Sequence, residues 1–449
     1  MFSLAEIATL LGAPPPVGAD AIPARAVHDS RKIQQGDLFV AIRGARVDGH
    51  AYLDEALARG ACGAIVADAS RAPDESAGLI VVDDTVAALQ QVASAWRNRL
   101  PGHVVGLTGS YGKTTTRTLL AHLLRRSRSV FETPANYNTE IGLPMALLSM
   151  TPEDEVGVFE LGTERPGEIG LLASIVRPST GILTGVGPSH LDGFESLDAI
   201  ADEKWTLIDR LDADAIAFVN ADSPQLLARS LSAECDVRTV GLDAGSVRGE
   251  IEASVPALIV RLLEPPLRLE TRLLGEHNAV NVLLAVACAL EFGASAQEIE
   301  EAAESYRPPA HRLQALSAPF GTMLDDTYNA NPASMRAALH VLTSYGAPGA
   351  QRVFVFGDML GLGEGSDCFH REIATFAQSL GVDRILPAGA RAANACRGLR
   401  GSDNALLQVA DQAETLREML RGDDNVVLIK GSRALALDEL VEQLLPPGG

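Results

Sequence analysis

The sequence predicts an α/β protein of three domains: a small mixed α/β domain first, a central parallel-sheet domain, and a C-terminal Rossmann-like domain. Three observations predict it. The chain has 449 residues, and domains run at about 150 residues each. Short apolar runs alternate with helical patterns along most of its length, as parallel strands joined by crossover helices do. Two breakers, Pro101-Gly102 and Pro308-Pro309, divide that alternation into residues 1–100, 101–310 and 311–449.

In the first block, Met1–Ala13 lacks a basic leader segment and reads as a short amphipathic helix. Asp37–Ile42 and Gly63–Val66 read as strands, and Ala51–Arg59 and Thr85–Leu100 as helices. The second block starts with the apolar run His103–Leu107, which passes through a glycine-containing turn into a helix over Thr114–Arg126. Apolar runs follow at Val156–Leu161, Gly181–Thr184 and Ala215–Val219, and a helix over Gly275–Phe292 comes last. The third block carries strands at Thr322–Asp325, Val353–Phe356, Arg384–Leu386 and Val426–Ile429. Between them lie helices at Met335–Ser344, Cys368–Leu380 and Asp411–Arg421. Gly361–Gly365 departs from the dinucleotide-binding spacing and reads as a flexible loop.

Composition narrows the function. Hydrophobic residues make up 47% of the chain, enough for folded cores. Lys and Arg number 37 against 58 Asp and Glu, a net charge of −21. That balance excludes a nucleic-acid partner, because such proteins neutralise phosphates with basic stripes. An anionic ligand therefore needs a local positive site. The five cysteines are scattered and form no CxxC pair, which suits free thiols in a reducing, cytoplasmic compartment. Ala279–Leu290, the longest apolar stretch, is too short to cross a bilayer and contains Asn281, so no membrane insertion is expected. A monomer is expected.

Thr108-Gly-Ser-Tyr-Gly-Lys-Thr-Thr115 lies between a strand and a helix, the context of a P-loop. Backbone N–H groups around Gly109, Ser110 and Gly112 would curl round phosphate oxygens. Lys113 would reach the β- and γ-phosphates, and the Thr114 hydroxyl would bind Mg²⁺. The helix N-terminus through Thr115 adds partial positive charge. The usual spacing puts glycine at 107, where this chain has Leu107, with Gly106 one residue earlier. The alternative is a chance Gly-Lys-Thr in a turn. The loop makes the central domain one of P-loop ATPase type.

Thr108–Thr116 resembles the ATP loop of the Mur ligase family, ATP-dependent amide-bond ligases of peptidoglycan synthesis, including its shifted leading glycine. The resemblance extends over essentially the whole chain. It is carried further by Asp29-Ser30-Arg31, Gly36–Ala41, Asp325–Met335, Gly357-Asp358-Met359 and Lys430-Gly-Ser-Arg433. The Tyr328–Pro332 run resembles the members that join D-alanyl-D-alanine to UDP-N-acetylmuramoyl-tripeptide. The resemblance implies one domain each for nucleotide sugar, ATP and amino substrate. It also implies transfer of ATP's γ-phosphoryl group to the tripeptide carboxylate, then attack by the dipeptide amine on the acyl phosphate. A sibling ligase of the Mur or folylpolyglutamate type, acting on another amino substrate, is one alternative. A P-loop regulatory NTPase without ligase chemistry is the other.

Site roles follow from the same resemblance. Glu160, at a strand end where α/β sheets place ligands, matches the family's Mg²⁺ carboxylate; a salt-bridged loop glutamate is the alternative. His190 matches the histidine at a second Mg²⁺, though histidine is an unusual Mg²⁺ ligand. Lys204 reads by composition as a solvated lysine, whereas the family carries here a lysine whose carbamate binds that second ion. Asn278 and Asn281 match the adenine contacts, with helix capping the other role open to Asn278. Arg312 matches the phosphate arginine, in a His311-Arg312 pair where the family usually has Gly-Arg, which unsettles the local backbone. Asp326 matches the ribose ligand. Ser30 and Arg31 match the uridine diphosphate contacts, with a surface salt bridge the alternative for Arg31. Asn138 and Thr139 match the muramoyl loop, Thr139 standing where Asn is common. Asn329, Asn331, Lys430 and Arg433 are candidates for the dipeptide site, with turn chemistry the alternative for the two asparagines.

Overall fold

The computed structural model describes all residues except 45–46, 69, 71–77, 135, 190–191, 400–411, 421–423 and 447–449. The N-terminal part contains α1 (Leu4–Leu10), β1 (Ala26–Val27), β2 (Leu38–Val40), α2 (Leu53–Ala58), β3 (Gly63–Val66), β4 (Leu79–Val81) and α3 (Thr85–Arg97). Its four strands pair in the order β1-β2-β3-β4, all parallel. Ser3 and Glu6 form a capping box on α1, which fixes where that helix starts.

The central part runs β5 (His103–Thr108), α4 (Lys113–Leu124), β6 (Val130–Glu132), α5 (Gly142–Ser149), β7 (Val156–Glu160), α6 (Glu168–Val176), β8 (Thr180–Leu183), α7 (Leu197–Asp209), β9 (Ile216–Asn220), α8 (Pro224–Ser230) and β10 (Asp236–Gly241). It continues through β11 (Val247–Ala253), β12 (Leu258–Leu262), β13 (Leu267–Thr271), α9 (Ala279–Glu291) and α10 (Ala296–Ser305). Nine strands form one sheet in the order β13-β12-β11-β10-β9-β8-β5-β7-β6. From β6 to β11 the neighbours are parallel; β12 and β13 add an antiparallel extension. Alternation along β5 sorts the faces. Val105 and Leu107 join Leu119, Leu123, Val282 and Val286 of α4 and α9 on one face. Val104 joins Leu172 and Leu207 of α6 and α7 on the other. The chain leaves β5 for β6 on one side and later returns to β8 on the opposite side. The carboxyl ends of β5, β7 and β8 therefore meet at a topological switch point, where open α/β sheets bind ligands.

The C-terminal part contains β14 (Gln314–Ala318), β15 (Gly321–Asp326), α11 (Pro332–Ser344), β16 (Gln351–Gly357), α12 (Ser366–Ser379), β17 (Arg384–Ala388), α13 (Ala390–Cys396), α14 (Gln412–Met419), β18 (Asn425–Lys430) and α15 (Leu437–Leu444). Its sheet order is β14-β15-β18-β16-β17, with β14 an antiparallel edge on a parallel sheet. No helix among the described residues is long and apolar enough to cross a membrane.

Several elements differ from the sequence reading. The helix expected from Gly275 begins with a 3-10 turn at Glu276–Asn278, because Gly275 stands at φ +83°, outside helical space. Ala51–Arg59 splits into a 3-10 turn ending at Tyr52 and then α2. Of the helix expected at 411–421, Gln412–Met419 is helical and both expected end residues lie outside the described residues. The β11–β13 extension was not read, although Leu267–Thr271 alternates buried and exposed; Pro256, Pro265 and Pro266 interrupt its strand signals.

The N-terminal part shares a core with the central part. Trp96 packs edge-on against Phe2 at 5.4 Å and donates its indole N–H to Met150 O at 2.9 Å. Arg97 donates to Val176 O at 2.8 Å. Trp96→Ala is expected to lower stability by about 3–5 kcal/mol through the cavity it leaves. Urea unfolding followed with a probe in each half checks this, and the loss should also loosen the N-terminal part to proteolysis.

Candidate active site

The phosphate loop begins at Gly109. Leu107 is buried in β5, and a Cβ on Gly106 would lie 3.1 Å from Pro178 and 3.2 Å from Leu207, so that glycine serves sheet packing. Gly112 caps α4 at φ +80°, and a Cβ there would stand 2.2 Å from Asn281 Oδ1. Glycine is required at 112 on both counts. Lys113 folds back to donate to Gly109 O at 2.6 Å. Burial is the main cause that pulls its proton affinity below that of an ordinary lysine, with Glu160 opposing and Arg312 adding to the effect. The buried hydroxyls of Thr108 and Ser110 have no partner among the described residues.

Glu160 closes β7 at 3% exposure. It accepts hydrogen bonds from the Thr114 hydroxyl at 2.9 Å, Arg117 at 3.2 Å and Asn138 at 3.0 Å. Lys204, on α7, is 2% exposed. Its ammonium makes no hydrogen bond or ion pair among the described residues, because the neighbouring Glu203 is committed to the Gly167 and Ile169 N–H groups at 2.7 Å each. Burial, then the charge of Lys113, lower the Lys204 proton affinity well below the usual value, against the pull of Glu203. His190 lies outside the described residues.

Asn278 and Asn281 are buried at the start of α9. Asn278 does not cap that helix with its side chain: its amide donates to Leu274 O at 2.9 Å and accepts from Asn281 at 3.0 Å. The Arg312 guanidinium lies 4.0 Å above the Tyr328 ring centroid. Asp326 accepts from Lys430 Nζ at 2.6 Å, and the same ammonium donates to Asn329 O at 2.9 Å. Thus residues expected in the ribose and dipeptide sites share one ion pair.

One cleft of about 1100 Å³ between the central and C-terminal parts is lined by Ser110, Gly112, Lys113, Thr114, Thr115, Asn138, Thr139, Glu160, Asn278, Asn281, Arg312, Asp326, Asn329, Asn331 and Lys430. Others stand apart from it. Arg433 is not in the lining; its guanidinium is engaged by Asp438 at 2.6 Å, in the first turn of α15. Ser30 donates to Glu55 at 3.0 Å, and Arg31 pairs with Asp29 at 2.9 Å on the N-terminal part's surface, also away from this cleft. Asn331 uses its side-chain oxygen to cap α11 through Ser334 N–H at 2.8 Å, so the turn chemistry is present at the cleft wall. The sequence reading missed His277 and Arg165, both in the lining. His277 precedes the asparagine pair; burial pushes its imidazole down to about 4, with Asp326 opposing and Lys430 assisting.

The donor set fits a nucleoside triphosphate with Mg²⁺. The Ser110 hydroxyl, unpartnered among the described residues, is available to a phosphate oxygen, and Thr114 and Glu160 supply adjacent hard oxygens. Among the described residues no group of three or more His, Cys, Asp and Glu converges as a metal cage. That suits Mg²⁺, which binds through one or two protein oxygens and keeps its waters and phosphates.

Fold and site together define a P-loop nucleotide-binding α/β enzyme whose active cleft is completed by a further domain. Family models match the chain in three segments: the Mur ligase family catalytic domain at residues 27–97, the Mur ligase middle domain at 107–289, and the Mur ligase glutamate ligase domain at 311–433. The UDP-N-acetylmuramoyl-tripeptide–D-alanyl-D-alanine ligase of Escherichia coli is 33% identical over 449 aligned residues, 96% of each chain. A crystal structure of MurF from Acinetobacter baumannii superposes with a TM-score of 0.88 at 29% identity, covering 99% of this chain and 98% of that one. The MurF ligase of Thermotoga maritima in complex with ADP gives 0.83 at 28% identity, covering 94% and 96%. The chain belongs to the Mur ligase family.

Gly112→Ala is expected to abolish measurable ADP binding by calorimetry, because both backbone and Asn281 must shift. His277 sets an acid limb of stability. Between about pH 6.5 and 4 the unfolded chain takes up a proton that the folded one refuses, so stability falls as pH falls through that window. His277→Gln should flatten this slope in pH-dependent urea unfolding.

Proposed function

We infer that the protein is an ATP-dependent amide-bond ligase that joins D-alanyl-D-alanine to UDP-N-acetylmuramoyl-tripeptide in peptidoglycan precursor synthesis. The observation that carries this reading is the single cleft in which the phosphate loop faces the Tyr328–Asn331 run. A carboxylate is a poor electrophile, and transfer of the γ-phosphoryl group from ATP gives it a leaving group. The dipeptide amine then attacks the acyl carbon, an amide forms, and phosphate departs with the C–O electrons. Lys113 and Arg312 disperse charge on the transferring group, and the loop N–H groups with Ser110 hold the β-phosphate. Asn278 and Asn281 recognise adenine and Asp326 the ribose. Asn138 and Thr139 meet the muramoyl sugar, and Ser30 and Arg31 the uridine diphosphate. Asn329, Asn331 and Lys430 receive the dipeptide; the Asp438 pairing argues for leaving Arg433 out.

Two Mg²⁺ ions fit this scheme, with Thr114, Glu160, His190 and a Lys204 carbamate as protein ligands. Bound Mg²⁺ would neutralise charge on the β- and γ-phosphates. Support for the carbamate is the environment of Lys204: a buried ammonium with no partner among the described residues gives up its proton readily, and the neutral amine adds CO₂ and releases a further proton to form an anionic oxygen ligand. We take the location to be cytoplasmic, as cysteines scattered without a CxxC pair suggest, and the working unit to be a monomer.

Phosphate release from ATP tests the reaction. Release that requires both UDP-N-acetylmuramoyl-tripeptide and D-alanyl-D-alanine is expected; release with neither present would point to a regulatory NTPase. Release with glutamate or a diamino acid replacing the dipeptide would point to a sibling ligase. Lys204→Ala is expected to lose turnover by about two orders of magnitude or more, with partial rescue by a short carboxylic acid that restores the missing oxygens. Wild-type turnover in that variant would remove the carbamate from the scheme.

A further inference from the structure

Tyr328 has no part in the chemistry above, yet it makes three contacts that none of its neighbours make. Its ring carries the Arg312 guanidinium at 4.0 Å. Its backbone N–H donates to His311 O at 3.0 Å, which ties it to the segment that brings Arg312 into the cleft. Its hydroxyl crosses the cleft and donates to Asn136 Oδ1 on the central part.

The far end of that bond is as informative as the near end. Asn136 sits in the loop that leads to Asn138, and Asn138 donates to Glu160 at 3.0 Å. Glu160 in turn accepts from Thr114 of the phosphate loop. Tyr328 thus stands between the Asn136–Asn138 loop and the Asn329–Asn331 wall, and one hydroxyl joins these two sides of the cleft.

We propose that Tyr328 is a positioning residue: its hydroxyl clasps Asn136 to hold the C-terminal part over the central part while the acyl phosphate exists, and its ring keeps Arg312 on the phosphate. The proposal rests on the ligase reading. An acyl phosphate has two fates. Amine attack gives the amide and phosphate; water attack returns the carboxylate and phosphate. Both consume one ATP, and only the first makes product. A clasp that excludes water therefore acts on the ratio between them.

Tyr328→Phe keeps the ring beneath Arg312 and removes the clasp; Asn136→Ala removes it from the other side. The measurement is phosphate released per amide formed, with KM for each substrate. The wild type is expected near one phosphate per amide. Each single variant is expected to release several-fold more phosphate per amide and to raise KM for the dipeptide, with KM for ATP unchanged. The double variant is expected to be no worse than either single one, because both remove the same bond. A ratio that stays at one in both singles, or effects that multiply in the double variant, would overturn the proposal. So would a raised KM for ATP at an unchanged ratio. Small-angle scattering with ADP bound gives a second readout that does not depend on the identity of the substrates. A larger radius of gyration for Tyr328→Phe than for the wild type supports the clasp, and equal radii overturn it. A wild type that forms no amide would defeat the ligase reading and leave the scattering result to decide the clasp.

Discussion

The active cleft is organised around one buried carboxylate. Glu160 and Arg117 both have side chains only 4% exposed, and Arg117 extends the network to Glu132 at 3.1 Å. Glu160 lies at the end of β7, Thr114 and Arg117 in the first turns of α4, Glu132 in β6, and Asn138 in the loop beyond it. One group thereby sets the phosphate loop, the sheet edge and the Asn138 loop relative to one another. Removing one partner from a buried ion pair costs about 3–5 kcal/mol. Loss of Glu160 would therefore disturb the cleft through Arg117, Thr114 and Asn138 alone.

The cleft sets a few cations, Lys113, Arg165, Arg312 and Lys430, among more numerous carboxylates such as Glu160, Asp222 and Asp326. The protein carries −21 overall, yet the charge of Lys113 lowers the proton affinity of the buried Lys204, whose ammonium has no ion pair among the described residues. Two like charges out of water are costly unless an anion or neutralisation relieves them. Burial already lowers the proton affinity of both lysines, which eases that cost. Local cations are thus compatible with an acidic chain, because a field inside a cleft is weakly screened while surface charge is solvated.

Much of this was legible in the sequence, for physical reasons that differ by residue. The phosphate loop is local in sequence, so Gly112, Lys113 and Thr114 announce themselves through strand, turn and helix. Lys204 does not: its own helix shows an ordinary lysine, and its significance comes from burial beside Lys113 and from Glu203 being engaged elsewhere. Arg433 and Arg31 read as ligands in the sequence, and each also has an acidic partner within a few residues, Asp438 and Asp29, a local pairing that the motif itself does not announce. The bond from Tyr328 to Asn136 spans 192 positions, a separation that no periodicity or spacing in one sequence encodes.

The His311-Arg312 pair shows how a departure in sequence can be absorbed. Glycine was the expected residue before the arginine, and the structure puts His311 at φ +63° and Leu313 at φ +51°, both in the left-handed region. Non-glycine residues there cost about 1–2 kcal/mol each, and such strain persists only where the surroundings over-determine the backbone. They do so here. His311 Nδ1 bonds the buried Asp325 carboxylate at 2.8 Å, a contact that glycine cannot make, and Asp325 also accepts from the Thr327 hydroxyl at 2.7 Å. The imidazole thus holds the conformation that glycine would adopt freely, and it does so against β15, the strand that ends in Asp326. Arg312 is fixed from three directions: backbone strain on both sides, His311 on the sheet, and Tyr328 beneath the guanidinium. In the proposed role of Arg312 that rigidity is useful, because a charge held in place before a reaction has no reorganisation left to undergo during it.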